Sequence, residues 1–224
     1  TDGIGLWLLS NNNKLINNVA ADNARNGIYL YWHLINNVLT GNTASGSIVG
    51  IRLFQACTNN TLVNNTITKN RVGILFIDDN SNNILMKNNV LNNELISIQL
   101  YYNSNNNIIY LNNFNNGGSR YSTNLWNSSE KMSYIYNGKN YANYLGNYWS
   151  NYPGIDVNVD GIGDTSYDID SDKDNYPLME PWENYFQTSP KWSFAIITDL
   201  HIGRGYPDYN ASGYKDSEEG EDYY

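Results

Sequence analysis

Along the first half of the chain, apolar segments of four or five residues are separated by turns of Asn, Gly and Ser, and they return at a nearly fixed interval. The segments GIGLWLL, GIYLYWH, GIRLFQA, GILFIDD and SIQLYYN align on Ile4, Ile28, Ile51, Ile74 and Ile98, spaced 24, 23, 23 and 24 residues apart. An Asn pair follows 13 to 15 residues later in four units, as Asn17–Asn18, Asn64–Asn65, Asn88–Asn89 and Asn112–Asn113. In the second unit Asn36–Asn37 comes early, which reads as a displaced loop within an unchanged total. Units this short, with period-two alternation, do not fit a helical hairpin repeat. Three short strands and three turns per coil do fit: each coil pairs its backbone with the next at ~4.8 Å. Amide side chains at equivalent turns can then bond along the stack, which explains Asn where Ser would also turn the chain. The pattern predicts an all-β fold, a right-handed parallel β-helix of about five coils over residues 1–118. A leucine-rich horseshoe fits less well, because its spaced leucines are absent.

Alternation along the first strand of each unit sends Ile4, Leu6 and their equivalents inward and the residues between them outward. Trp7, Tyr31, Phe54, Ile77 and Tyr101 then form an outward column at the same spacing. A ladder of large apolar side chains on a solvent face needs a partner. Three covers fit it: the C-terminal part of the chain, another copy of the protein, or a glycan whose sugar faces stack on the rings. Cleavage of a polysaccharide, by a lyase or a glycoside hydrolase, fits less well. The coils offer Asp22, Asp78, Asp79 and Glu94 with Arg52, Lys69, Arg71 and Lys87, but no second acidic pair recurs on a neighbouring coil.

Composition agrees with a turn-rich β fold. Of 224 residues 41 are Asn, 30 of them before residue 119, and Asn is a poor helix former that tolerates the left-handed backbone. Charged residues are 16% and hydrophobic residues 41%, which excludes a charge-rich disordered chain and a lipid-embedded one. No run of 18 apolar residues exists, so no spanning helix is expected. The chain opens inside patterned sequence without a visible signal peptide, as a mature or excised fragment does. The net charge of −9 falls mainly after residue 118, and no basic patch exists to bind nucleic acid. The single cysteine, Cys57, forms no internal disulfide, and one Cys, three Met and His33 in the coils make no soft-ligand cluster for copper. Sequons at Asn59, Asn64, Asn127 and Asn210 are weak support for an exported, extracellular or cell-surface glycoprotein.

After Gly118 the period stops. Residues 119–186 read as a cap over the last coil, with Trp126, Tyr134, Tyr136, Tyr148, Trp149 and Trp182 as cover. Within it, DVNVDGIGD places Asp156, Asn158, Asp160 and Asp164 at positions 1, 3, 5 and 9 of a loop with Gly161 at 6, the front half of a calcium loop. Position 12 is Tyr167, with Asp168 one step beyond; an ion-free Asp/Gly turn reads equally well. Asp168, Asp170, Asp172 and Asp174 alternate further along, to complete that site or to face solvent.

The repeat together with NYLGNYWSNYPGIDVNVDGIGDTSYDIDSDKDNYPLMEPW, over roughly residues 1–183, resembles the NosD-like parallel β-helix repeat proteins of archaeal cell surfaces. The resemblance implies the fold and an exported location, and little about activity. Beyond a linker at 187–192, KWSFAIITDLHIG in residues 193–224 resembles the opening strand of calcineurin-like metallophosphoesterases. That resemblance implies Asp199 and His201 as first ligands for Fe, Mn or Zn. The family's G-D-x-x-D and G-N-H-D/E motifs are not present, so these residues do not make a competent phosphoesterase. Two readings follow: a cell-surface glycan-binding module or spacer joined to the start of such a domain, or a subunit assembling end to end into filaments through its first coil and C-terminal strand.

Overall fold

A computed structural model describes residues 1–186; Asp199, His201, Asn210 and the C-terminal strand expected after the linker lie outside the described residues. The period becomes three parallel sheets. The first stacks Ile4–Trp7, Asn26–Tyr31, Val49–Phe54, Val72–Ile77, Ile96–Tyr101 and Gly117–Arg120. The second stacks Lys14–Ile16, Val38–Thr40, Thr61–Val63, Ile84–Met86 and Ile108–Tyr110. The third stacks Val19–Ala21, Thr43–Ser45, Thr66–Thr68, Asn89–Val90, Asn113–Phe114 and Tyr148–Trp149. This is the expected right-handed parallel β-helix, with one 3-10 turn, Trp182–Tyr185, as the described helical element. The aligned isoleucines pair in register from coil to coil, Ile4 with Ile28, Ile28 with Ile51, Ile51 with Ile74 and Ile74 with Ile98. Behind them Leu30, Leu53, Phe76 and Leu100, with Leu39, Leu62, Leu85 and Ile109 of the second sheet, are fully buried. The core is a column of aliphatic side chains inside a triangular tube.

The corners explain the asparagine. At the first corner Asn13, Asn37, Asn60, Asn83, Asn107 and Asn124 form one ladder, and at the second Asn18, Asn42, Asn65, Asn88, Asn112 and Asn147 form another. Each residue donates its backbone N–H and a side-chain N–H to the side-chain oxygen of the next coil; for Asn65 and Asn88 these bonds are 3.0 and 2.9 Å. In Asn42, Asn60, Asn65, Asn83, Asn88, Asn107, Asn112 and Asn147 the second amide hydrogen goes to a carbonyl of the preceding coil, as from Asn65 to Leu39 at 2.9 Å. Two bonds accepted and two donated leave the amide satisfied, so Asn60, Asn83, Asn88 and Asn112 are buried without penalty.

This geometry corrects the reading of Asn36–Asn37 as a displaced loop. Asn37 belongs to the first ladder, and the second-corner place in that coil is held by Asn42. Just before every ladder residue except the last of each ladder, Asn124 and Asn147, stands a left-handed one: Asn12, Asn17, Asn36, Asn59, Asn64, Asn82 and Asn106, with Lys87 and Leu111 later. Asn tolerates that backbone best among residues with a side chain. In the second coil Gly41, at φ 68°, fills the position.

A sixth turn, lengthened by an insertion, lies beyond the periodic stretch. Gly117–Arg120 extends the first sheet, Leu125 bridges to Ile108, and Tyr148–Trp149 extends the third sheet. The insertion between them carries an antiparallel hairpin, Met132–Tyr136 with Lys139–Asn143. Trp126 and Trp149 plug the tube below Phe114, with Trp149 and Phe114 centroids 4.9 Å apart. Tyr134, Tyr136, Leu145, Ile162, Leu178 and Tyr185 form a second, smaller core beside it.

Both ladders end on one hairpin, Tyr167–Ile169 with Asp172–Asp174. Asp172 accepts from the Asn124 N–H at 3.0 Å, Ser119 Oγ at 2.8 Å and Trp126 Nε1 at 3.0 Å. Asp174 accepts from the Asn147 N–H at 2.8 Å and Trp149 Nε1 at 3.0 Å through one oxygen, and from the Tyr176 N–H at 3.0 Å through the other. The last amide of a ladder presents only donors to its end, and a carboxylate is the side chain that only accepts. Asp172 and Asp174 therefore neither complete a calcium loop nor face solvent, as the alternation had suggested. Gly146 makes the approach possible: a Cβ there would lie 2.0 Å from Asp174 Oδ1.

Candidate binding face

The predicted column exists as a row of in-register neighbours on the first sheet: Trp7, Tyr31, Phe54, Ile77 and Tyr101, continued by Arg120. Trp7 is 46% exposed and the other four are half-buried. The same alternation puts a second outward row two positions earlier: Tyr29, Arg52, Leu75 and Gln99. That row obeys the same period-two rule, but its mixture of Tyr, Arg, Leu and Gln gives no uniform column in the sequence. Together the rows make an aromatic face. The rings of Trp7 and Tyr29 lie 5.3 Å apart and edge-on, Trp7 and Tyr31 5.3 Å, Tyr29 and Tyr31 5.6 Å, and Tyr31 and Phe54 5.7 Å at 89°. Edge-to-face packing of this kind fixes ring orientation and adds to area burial. Among the described residues, the part that follows the coils meets this sheet at the sixth turn, where Asp170 meets Arg120 at 3.6 Å and the Ser119 N–H at 3.1 Å.

Next to the face, the second to fifth coils each turn through two consecutive left-handed residues: Trp32–His33, Gln55–Ala56, Asp78–Asp79 and Tyr102–Asn103. Their side chains line a groove of about 310 Å³. Trp32 and Tyr102 stand exposed at its ends, and Tyr102 stacks on Tyr121 at 6.1 Å. Left-handed Trp and Tyr are costly, roughly 1–2 kcal/mol each. The in-register sheets on either side hold them there.

The loop at 156–164 is closed by its own backbone. Asp156 accepts from the N–H groups of Asp160 at 3.1 Å and Gly161 at 2.7 Å, Asn158 accepts from Asp160 at 3.0 Å, and Asp160 accepts from Ile162 at 2.9 Å. Asp164 reaches back to the Val157 N–H at 2.7 Å. Tyr167, at the twelfth position, stacks on Trp149 at 4.4 Å, and Asp168 lies exposed on the hairpin opposite Lys173. Thus Asp156, Asn158, Asp160 and Asp164 gather in one loop while Asp168 does not join them. Among the described residues, no three His, Cys, Asp or Glu side chains are grouped to hold a metal ion.

Of the sequons, Asn59 and Asn64 sit exposed at left-handed corners, whereas Asn127 is buried with its Nδ2 donating to the Ser128 carbonyl at 2.9 Å. No helix of the described residues is long and apolar enough to cross a membrane.

The tube with its amide ladders matches a known family. The model of NosD, described as a periplasmic copper-binding protein, fits residues 2–154. The chain belongs to the NosD family. No curated protein and no solved structure gives a further match. In this NosD-family chain the match spans the coils, the sixth turn and the aromatic face, and stops before the Asp156 loop and the Asp172–Asp174 ladder ends.

Proposed function

We propose that this NosD-family chain is an exported β-helix module that binds glycan along the outer face of its first sheet. The observation that carries the reading is the packed and partly exposed aromatic face of Trp7, Tyr31 and Phe54, backed by the buried ring of Tyr29 and fixed on a rigid parallel sheet. Rings held in place lose little freedom when a sugar stacks on them, so their area is available for binding. The family's description as periplasmic supports a location outside the cytoplasm.

Copper, which that description also names, does not fit the donors among the described residues. Cys57 is buried, its thiol pushed up by burial and facing the carbonyls of Leu30 and Phe54 at 3.6 Å. Met86 Sδ accepts from Tyr110 Oη at 3.0 Å, and His33 lies beside Trp32 in the groove. These soft ligands stand apart, and copper needs several together.

Binding to a glycan array followed by titration of the best ligand tests the reading. Tyr31→Ala and Trp7→Ala are expected to weaken binding roughly tenfold each, about 1.4 kcal/mol, with the circular dichroism unchanged. Retained affinity in both variants sinks the face as the site. A calcium role for the Asp156 loop is proposed as weak and secondary, because its carboxylates already serve backbone N–H groups and no bidentate twelfth ligand follows. Millimolar calcium, compared with a chelator, should stabilise the protein by about 1 kcal/mol and shift the melting midpoint by a few degrees, an increment lost in Asp160→Ala. A midpoint indifferent to calcium leaves the loop an ion-free turn.

A further inference from the structure

The aromatic face holds one cation whose own partners are missing. Of the charged side chains on the two outward rows, Arg120 meets Asp170 at 3.6 Å. Arg52 forms no ion pair among the described residues. Its guanidinium lies over two rings, Cζ 4.7 Å from the Phe54 centroid and 5.5 Å from that of Tyr29. The Nε atom is enclosed and has no hydrogen-bond acceptor. Asp2, the acid at this edge of the sheet, is already engaged: its Oδ1 accepts from Asn26 Nδ2 at 2.6 Å, and its Oδ2 lies 3.7 Å from Arg25. An Arg laid over two rings is held in one orientation. Its Nε is closed off from an incoming ligand, but the two terminal nitrogens make no hydrogen bond or ion pair among the described residues, and they are the donors that an external acceptor would meet.

Resting on the glycan reading above, we propose that Arg52 makes this face selective for acidic sugars, taking the carboxylate of a uronic-acid residue while Tyr31 and Phe54 stack on the pyranose faces beside it. The planar guanidinium fork matches a planar carboxylate in a way that a point charge does not. The chain as a whole carries −9, so attraction of an anionic polymer has to be local, and residues 1–118, with 6 Lys and Arg against 5 Asp and Glu, are the part that does not oppose it. The site differs from the neighbouring groove, whose Asp78 and Asp79 face the opposite charge requirement.

Titration of the intact chain with three probes tests this: an alginate oligomer, the same oligomer with its carboxyl groups reduced to the neutral sugar, and dextran sulfate. Expected are binding of the alginate oligomer at least tenfold tighter than of its reduced form, weakening as salt is raised, and near-equal affinities for the two in Arg52→Gln. Arg52→Lys should fall between, because it keeps the charge and loses the fork. If the reduced oligomer binds as well as the acidic one, and Tyr31→Ala weakens both, the role of Arg52 is overturned while the glycan reading stands. Dextran sulfate bound as tightly as alginate overturns the carboxylate assignment. Failure of all three probes overturns the acidic-sugar proposal and leaves the glycan reading to the array. Should Arg52→Gln not fold, by circular dichroism and melting, the comparison of the probes on the unaltered chain and on Arg52→Lys decides the matter.

Discussion

Asp174→Ala is expected to cost on the order of 3–5 kcal/mol at pH 7, read as a lowered midpoint in denaturant with the slope retained. The variant strips the acceptor from the Asn147 N–H, from Trp149 Nε1 and from the Tyr176 N–H at once. Asp174, Asn147 and Trp149 are at most 1% exposed, where water does not reach, and Tyr176 is partly buried. A cost under 1 kcal/mol sinks the view that carboxylates terminate the ladders. The same residue gives stability a pH dependence. Donors around it favour the ionised form, but full burial outweighs them and pushes its carboxyl up from 3.8 to about 6. An acid raised in the folded state binds its proton more tightly there than in the unfolded chain. Its contribution is therefore greatest below pH 3.8, falls as pH rises to about 6, and is level above that. The fall amounts to about 3 kcal/mol at 1.36 kcal/mol per unit, and Asp174→Asn should abolish that segment of the pH profile.

The second large effect is expected inside a ladder, from the opposite exchange. Asn88→Asp keeps the shape of the side chain and removes its two donated bonds, to the Leu62 carbonyl at 2.9 Å and to Asn112 Oδ1 at 2.9 Å. A carboxylate there faces two oxygens with nothing to give them, in a fully buried position. The expected loss at pH 7 is about 4 kcal/mol, recovered in part at acid pH, where the protonated side chain donates once. Chemical denaturation at pH 7 and pH 4 measures both numbers. An Asn88→Asp variant as stable as the parent at neutral pH would show that the ladders are ornaments of the corners and not part of what holds the coils together.

These two variants mark how far the chain could be read in advance. Ile4 to Ile98 announce the coil because a parallel stack must repeat the same inward residue at the same height, and a repeat in space is then a repeat in sequence. The outward aromatic column follows from the same rule, since pleating sends neighbours to opposite faces. The ladders were visible as asparagine but not as ladders. Asn36–Asn37 and Asn64–Asn65 look alike in the chain and occupy different corners, because a pair can be left-handed residue plus ladder residue at either one. The roles of Asp172 and Asp174 could not be seen either. Alternating carboxylates in a polar stretch read as solvent or calcium ligands until Asn124 and Asn147, 48 and 27 residues upstream, are brought beneath them. Local periodicity thus determined the coil, its core and the face it offers. What ends the coil, and which charge on that face stays unpaired, came only from contacts distant in sequence, because a hydrogen bond is satisfied by whatever the fold places 3 Å away and leaves no period in the chain.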